Sequence, residues 1–370
     1  MLKTFFLQRL FSPAEQSIPE REPHIHHFLY RHILLIHVLT MDSSSKQSGG
    51  INTRLLIISD THGMQFPVGV NVPVDVAIHC GDLTQHSKLD EFRAGISQME
   101  MINASLKLII AGNHDFSLDI PIFKRKISEA SRLESLDDAL VKKEYGDYGA
   151  AQEIMNEAKN KGIIFLDEGS HRFSLKNGAF LKVYASPYTP STISSNEWGF
   201  QYSGNHSFSI DSGTDVAITH GPPHGLMDMS AERKRIGCPQ LFAAVAKAQP
   251  RIHCFGHVHE GWGSKLVTWR SQISNSPSHF TDIDNDRSRH IENLLSLSGS
   301  EFESLEESKI RERKIAEYNL RGYCQISPSI DNTVSLEDGK TLFINAAVKS
   351  HNDLDQMPWV VDIQLPAYES

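Results

Sequence analysis

The chain has 370 residues and a mass of 41.5 kDa; 39% of its residues are apolar and 22% charged, with 24 Gly and 16 Pro. That length suits about two domains, or one large α/β domain with insertions, and the composition excludes a collagen, a coiled coil or a wholly disordered chain. Thirty-six Lys and Arg against 45 Asp and Glu leave a net charge of −9, which argues against broad gripping of nucleic acid or of an anionic membrane.

Residues 1–52 read as a leader outside the folded body. Their apolar stretch, Phe28 to Leu39, is interrupted by Arg31, His32 and His37 and falls short of the ~20 residues a spanning helix needs. Glu15, Glu20, Arg21 and Glu22 precede that stretch, and Val38-Leu39-Thr40-Met41 ends it, so it lacks the layout of a secretory signal. Lys3, Phe5, Phe6 and Arg9 would suit a mitochondrial leader, but the early Glu residues count against one. A polar segment joins Met41 to the first strand, and Met41 is the expected functional start. Cys80, Cys238, Cys254 and Cys324 are scattered, with no Cys-x-x-Cys pair; free thiols in a reducing, cytoplasmic compartment are expected.

From Thr53 onward, short apolar runs rich in β-branched residues alternate with polar turns. The runs are Leu55–Ile58, Val74–His79, Leu106–Ala111, Phe180–Ala185, Val216–Thr219, Ile252–Phe255 and Leu342–Ala346, followed by Trp359–Leu365. Continuous apolar runs of this length suit strands buried on both faces under helices. Ser87 to Met101 reads as a helix with Leu89, Phe92, Ile96 and Met99 on one face; Glu129–Lys161 and Gln240–Ala248 are also helix-prone. The alternation predicts an α/β architecture. Residues 264–340 are polar and show only one helix signal, near Leu305–Leu320, so a largely disordered surface insertion is expected there. The predicted organisation is a leader (1–52), a main domain (53–263), the insertion (264–340), and closing strands of that domain with a tail (341–370).

Five motifs sit at the carboxyl ends of these runs. They are Ser59-Asp60-Thr61-His62-Gly63, Gly81-Asp82, Gly112-Asn113-His114-Asp115, His220-Gly221-Pro222-Pro223 and Gly256-His257-Val258-His259. Ligands of open α/β sheets bind outside the carboxyl ends of strands, so the five turns can converge on one crevice. Asp60, His62, Asp82, Asn113, His220, His257 and His259 would supply two carboxylates, an amide oxygen and four imidazoles. That set is too large for one ion with an open position and suits two divalent cations sharing a carboxylate. Mixed imidazole and oxygen ligation favours Mn²⁺, Fe or Zn²⁺ over Ca²⁺ or Mg²⁺. In an extended segment Asp60 and His62 would project to one side, as would His257 and His259.

Together the motifs resemble those of the calcineurin-like metallophosphoesterase superfamily. Ser186-Pro187-Tyr188, His220-Gly221-Pro222-Pro223 and the run from Gly237-Cys238 to Trp262-Gly263 are similar to the metallophosphoesterase-domain-containing branch, near the class III cyclic-nucleotide phosphodiesterases. The likeness covers about residues 53–263 and 341–366. It implies a two-sheet β-sandwich flanked by helices, with one metal on Asp60, His62, Asp82 and His259 and the other on Asp82, Asn113, His220 and His257. Asp82 would bridge them, and solvent activated between two metals would attack phosphorus.

His114 stands outside the metal count and is assigned as general acid for the leaving oxygen, with Asp115 orienting its ring. Tyr188 and Trp262 are candidates for stacking on a nucleobase; His79, His86, His171, His224 and His253 read as structural or surface histidines. The leading reading is a metal-dependent phosphodiesterase acting on a small phosphoester, with no stable nucleic-acid binding and no membrane span. A phosphomonoesterase or nuclease is the rival among enzymes, although a nuclease would neutralise many phosphates. A metal-binding scaffold that works through partners is the rival outside them.

Overall fold

The computed structural model describes residues 50–65, 72–133, 137–191, 198–327, 336, 338–350 and 353–368. In chain order the first half runs β1 (Ile51–Ile58), β2 (Val74–His79), α1 (Leu89–Met101), β3 (Ala104–Ile109), α2 (Ile120–Leu133), α3 (Asp138–Tyr145), α4 (Ala150–Glu157), β4 (Ile163–Phe165), β5 (Gly169–Ser174) and β6 (Phe180–Ser186). The two-residue strands β7 (Thr189–Pro190) and β8 (Gln201–Tyr202) follow, then β9 (Val216–Thr219), α5 (Pro239–Ala248) and β10 (Ile252–Phe255). Next come β11 (Gly263–Trp269), β12 (Ile283–Asn293), α6 (Leu294–Ser298), α7 (Leu305–Arg321), β13 (Cys324–Ile326), β14 (Lys340–Asn345) and β15 (Trp359–Leu365). The leader lies outside the described residues apart from its last few, and β1 already begins at Ile51. The expectations about Met41, a mitochondrial leader and a signal segment also fall outside them.

The apolar runs become two sheets because each run must bury both faces. One sheet has the order β13-β15-β1-β2-β3-β4, with β1 through β4 parallel; the other has the order β12-β11-β14-β10-β9-β6-β5, with β14, β10, β9 and β6 parallel. Side chains alternate across each strand. Leu55, Ile57, Val76 and Ile78 of the first sheet therefore share one core with Val183, Ile218, Cys254 and Ile344 of the second. Leu56, Ala77 and Ile109 point the other way, under Phe92, Ile96 and Met99 of α1 and Met155 of α4. Tyr184, Phe255 and Phe343 are covered in turn by Leu241, Phe242 and Val245 of α5. The result is the expected α/β sandwich of two sheets between helices.

α1 begins at Leu89, two residues later than the expected Ser87. Its N-cap is Lys88, whose N–H donates to Glu91 Oε2 at 3.0 Å, while Ser87 sits at φ 62° and bonds Ser117.

Over the described residues 264–327 the expectation of a largely disordered insertion is overturned. β11 and β12 extend the second sheet as an antiparallel hairpin, α6 and α7 follow, and β13 pairs with β15 at the edge of the first sheet. β12 carries no apolar signal because it is an edge strand: its ladder needs backbone partners, not apolar side chains, and most of Ile283–Asn293 stays exposed or half-buried. A buried carboxylate ties α7 to it, with Glu292 accepting from Lys314 Nζ and Tyr318 Oη, each at 2.9 Å. Among the described residues the four cysteines are free and buried, as expected.

His253 on β10 illustrates how the core constrains charge. Thr219 donates its hydroxyl to the Gly221 carbonyl at 2.7 Å, so it can only accept from His253 Nε2–H, 2.9 Å away. Nδ1 is left buried with no partner, and burial holds the imidazole pKa down to about 3. A folded-state pKa below the unfolded value stabilises above about pH 6.5 and loses that contribution as pH falls toward 3. His253→Gln should therefore be less stable than wild type at pH 7.5, with the gap narrowing toward pH 4.5 in denaturant titrations. A gap that stays constant with pH would remove this role.

Candidate metal centre

The motif turns leave the ends of β1, β2, β3, β9 and β10 and converge, but the local backbone is not the extended one expected. Asp60, His62, Asp82 and His257 have φ of 57°, 48°, 55° and 66°, in the left-handed region. Such positions cost on the order of 1–3 kcal/mol each unless the surroundings hold them. Here they are held: Asp60 N–H donates to the Gly81 carbonyl and His62 N–H to the Asp82 carbonyl, both at 3.0 Å. The His257 N–H caps the Asp60 carboxylate at 3.0 and 3.1 Å. The paired ligands thus meet through left-handed kinks, and for His259 through a 3₁₀ turn over His259–Gly261. Two glycines make the approach possible. A Cβ on Gly112 would strike Asp82 and His220, and one on Gly256 would strike Asp60 and Ser59.

Six of the expected ligands share a dense polar cluster. His259 Nε2 lies 3.3 Å from Asp60 Oδ1, and His62 Nε2 lies 3.9 Å from Asp60 Oδ1 and 3.6 Å from Asp82 Oδ2. On the far side of Asp82, His220 Nε2 is 3.4 Å from Oδ1 and 2.9 Å from Asn113 Oδ1. His220 Nδ1 faces the Cys80 carbonyl at 3.0 Å, which fixes Nε2 as the atom turned to the site. Asp60, His62 and His259 form one group whose donor atoms all lie within 4.8 Å of one another; Asp60, Asp82 and His220 form a second. His257, the seventh, stands beside them, its ring centroid 5.0 Å from that of His220.

The electrostatics favour cations. Asp60 and Asp82 are both fully or almost fully buried. Burial alone would raise their pKa values, but the neighbouring histidines, His259 for Asp60 and His220 for Asp82, hold both well below the ordinary carboxylate range. Burial pushes His62 down to about 4 and His257 to about 3, so both imidazoles offer lone pairs. The Nε2 atoms of His62 and His259 approach to 3.4 Å, and His62 Nδ1 is buried without a partner. A buried set of converging oxygen and imidazole donors of this kind fits divalent transition metals.

His114 lies at the edge of this cluster, grouped with His62 and Asp82 and edge-on to the His62 ring at 4.6 Å. Its backbone N–H donates to Asp82 Oδ1 at 2.7 Å, and its Nδ1 is 2.9 Å from the Gln85 carbonyl. The role expected of Asp115 is therefore corrected. Its carboxylate accepts from the N–H groups of Gly112, Leu83 and Thr84 and from the Thr84 hydroxyl, so it holds the loop while the Gln85 carbonyl orients His114.

The family model for calcineurin-like phosphoesterases matches residues 53–261. The chain belongs to that family. Human metallophosphoesterase domain-containing protein 1 is 28% identical over 224 residues, 57% of this chain and 62% of that protein. UPF0046 protein T07D4.2 of Caenorhabditis elegans is 29% identical over 221 residues, 57% of this chain and 52% of that protein. A protein named "Probable rhamnogalacturonate lyase C" from Emericella nidulans is 29% identical over 222 residues, 58% of this chain but 18% of its own length. The chain thus spans less than two thirds of the length of these relatives. The family is one of metal-dependent phosphoester hydrolases, and the Asp and His groups above could hold its divalent ions.

The remaining sequence candidates divide. Trp262 is buried, donates Nε1–H to the Met357 carbonyl at 2.8 Å and stacks on Trp359 at 5.0 Å, so it cannot face a base. Tyr188 is half-buried against His206, ring centroids 4.6 Å apart. His79 lies beneath the site, 3.0 Å from Thr61 Oγ1; His86 is exposed; His171 faces the Asp167 carbonyl and His224 the Gly237 carbonyl. Two residues that the motifs did not point to border the site. Trp198 lies against the His114 ring at 4.3 Å, and Lys349 bonds Gln85.

Because the Asp82 carboxylate lies between His62 Nε2 and His220 Nε2, at 3.6 and 3.4 Å, Asp82→Ala should lower bound metal by at least one ion per chain. Elemental analysis after loading with Mn²⁺ and desalting measures this directly. A variant that retains two ions would refute the assignment.

Proposed function

We propose that this chain is a dinuclear-metal phosphoesterase that cleaves small phosphodiesters, cyclic nucleotides among them, with His114 as its general acid. The observation that carries the reading is the position of His114. It is tethered to Asp82 through its amide and to the Gln85 carbonyl through Nδ1, so Nε2 is left for an oxygen held at the donor cluster.

Asp60, His62, Asp82 and His259 would hold one ion, and Asp82, Asn113, His220 and His257 the other. When bound, a pair of divalent ions supplies a water of lowered pKa and neutralises phosphoryl charge. The side chains do the rest. His220 and His62 turn Nε2 inward, Asp82 lies between those two nitrogens, and Asp115 fixes the loop that carries Asn113 and His114. His114 gives its Nε2 proton to the departing alkoxide. No serine or cysteine nucleophile is needed.

The mixed donor set suits manganese, iron or zinc, and we put manganese first on the resemblance alone. The net charge of −9 supports a small substrate over a long polyanion. Four buried free thiols support a reducing, cytoplasmic address, and among the described residues no helix is long and apolar enough to cross a membrane.

The test is turnover of bis-p-nitrophenyl phosphate, p-nitrophenyl phosphate and a panel of cyclic nucleotides with Mn²⁺ added. Diester turnover supports the proposal, monoester preference supports the phosphomonoesterase, and no turnover with metal bound supports the scaffold. His114→Asn should lower kcat by about 10²–10⁴-fold on substrates with poor leaving groups and by much less on p-nitrophenyl esters. Equal losses on both would remove the general-acid role.

A further inference from the structure

Lys349 follows the last strand of the second sheet and has no place among the motifs. The chain leaves β14 at Asn345, and Ala347 bridges Ser59, the residue before Asp60. Val348 N–H donates to the Ser59 carbonyl at 3.0 Å, which brings Lys349 to the edge of the metal centre. There Lys349 Nζ donates to Gln85 Oε1 at 2.8 Å. Gln85 thus has two duties: its carbonyl orients the His114 ring and its side-chain oxygen holds the Lys349 ammonium.

That arrangement is unusual for a half-buried lysine. Among the described residues its one hydrogen-bond partner is a neutral amide oxygen, with no carboxylate paired to it. An ammonium has three donors, so two remain for an incoming anion. A neutral tether keeps the charge available; an Asp or Glu in place of Gln85 would have neutralised it.

We propose that Lys349, tethered by Gln85, is a substrate-binding residue that grips a non-bridging phosphoryl oxygen on the His114 side of the metal centre. This rests on the phosphoesterase reading and adds a specificity element to it. The ligand class is a phosphoryl anion presenting a free oxygen beside its leaving group. The ammonium acts as a point charge in binding, and His114 remains the proton donor.

The test uses the full chain loaded with Mn²⁺ and compares wild type with Lys349→Met and Lys349→Arg. Inorganic phosphate binding is measured by calorimetry, alongside steady-state kinetics on bis-p-nitrophenyl phosphate and metal content. Loss of one charge-assisted contact should weaken phosphate binding and raise KM by about tenfold in Lys349→Met, with kcat within about twofold and metal content unchanged. Lys349→Arg should recover most of the affinity. Phosphate binding unchanged in Lys349→Met would overturn the inference while leaving the phosphoesterase reading intact. A fall in kcat with unchanged KM and steeper dependence on the leaving group would also overturn it, since Lys349 would then act on His114 through Gln85. A wild type that holds metal but neither binds phosphate nor cleaves either ester would remove both.

Discussion

The carboxylate of Asp82 is the constraint on which the rest of the site depends. One oxygen lies 3.6 Å from His62 Nε2; the other lies 3.4 Å from His220 Nε2 and accepts the His114 N–H at 2.7 Å. Both it and Asp60 have lost their hydration, and two anions buried side by side oppose each other unless positive charge lies close by. Protons on His220 and His259 meet part of that demand, and a divalent ion bound there would replace them. Burial works against a charged His220, yet the Asp82 charge outweighs it and carries the pKa up to about 9. His62 and His257 go the other way and stay neutral, which is the form that can ligate a metal. The cluster therefore combines anionic oxygens with imidazole lone pairs, and divalent ions satisfy both.

The fold supplies the rigidity that such a cluster requires. Parallel strands from both sheets end on one side, and their backbone carbonyls and amides lock the turns that follow. Left-handed φ values at Asp60, His62, Asp82 and His257 aim side chains that an ordinary strand end would spread apart. Glycines where a single Cβ would collide let the turns close to contact distance. The strain is borne by the sandwich core below, in which both faces of the central strands are buried.

Much of this was legible in the sequence. The runs Val74–His79, Val216–Thr219, Ile252–Phe255 and Trp359–Leu365 coincide with strands, because strands buried on both faces write their limits as unbroken apolar stretches. The motifs were legible because ligand chemistry restricts residue type. What the sequence hid is equally physical. β12 is polar because an edge strand pairs through its backbone, and β13 is only three residues long. The kinks at Asp60 and His62 occur at non-glycine residues, so nothing in the letters marks them. Adjacency of Asp115 to His114 along the chain does not become contact: its carboxylate turns to the amides of Gly112 in its own loop and of Leu83 in the loop after β2. Trp198 and Lys349 reach the site by tertiary packing from segments without a motif.

A crystal structure of the Mn²⁺-loaded protein, with anomalous data collected at the manganese edge, tests the central claim most directly. Two anomalous peaks about 4 Å apart, with Asp82 between them and His114 beside them but bound to neither, are the predicted result. A single peak, or two peaks that share no oxygen of Asp82, would contradict it.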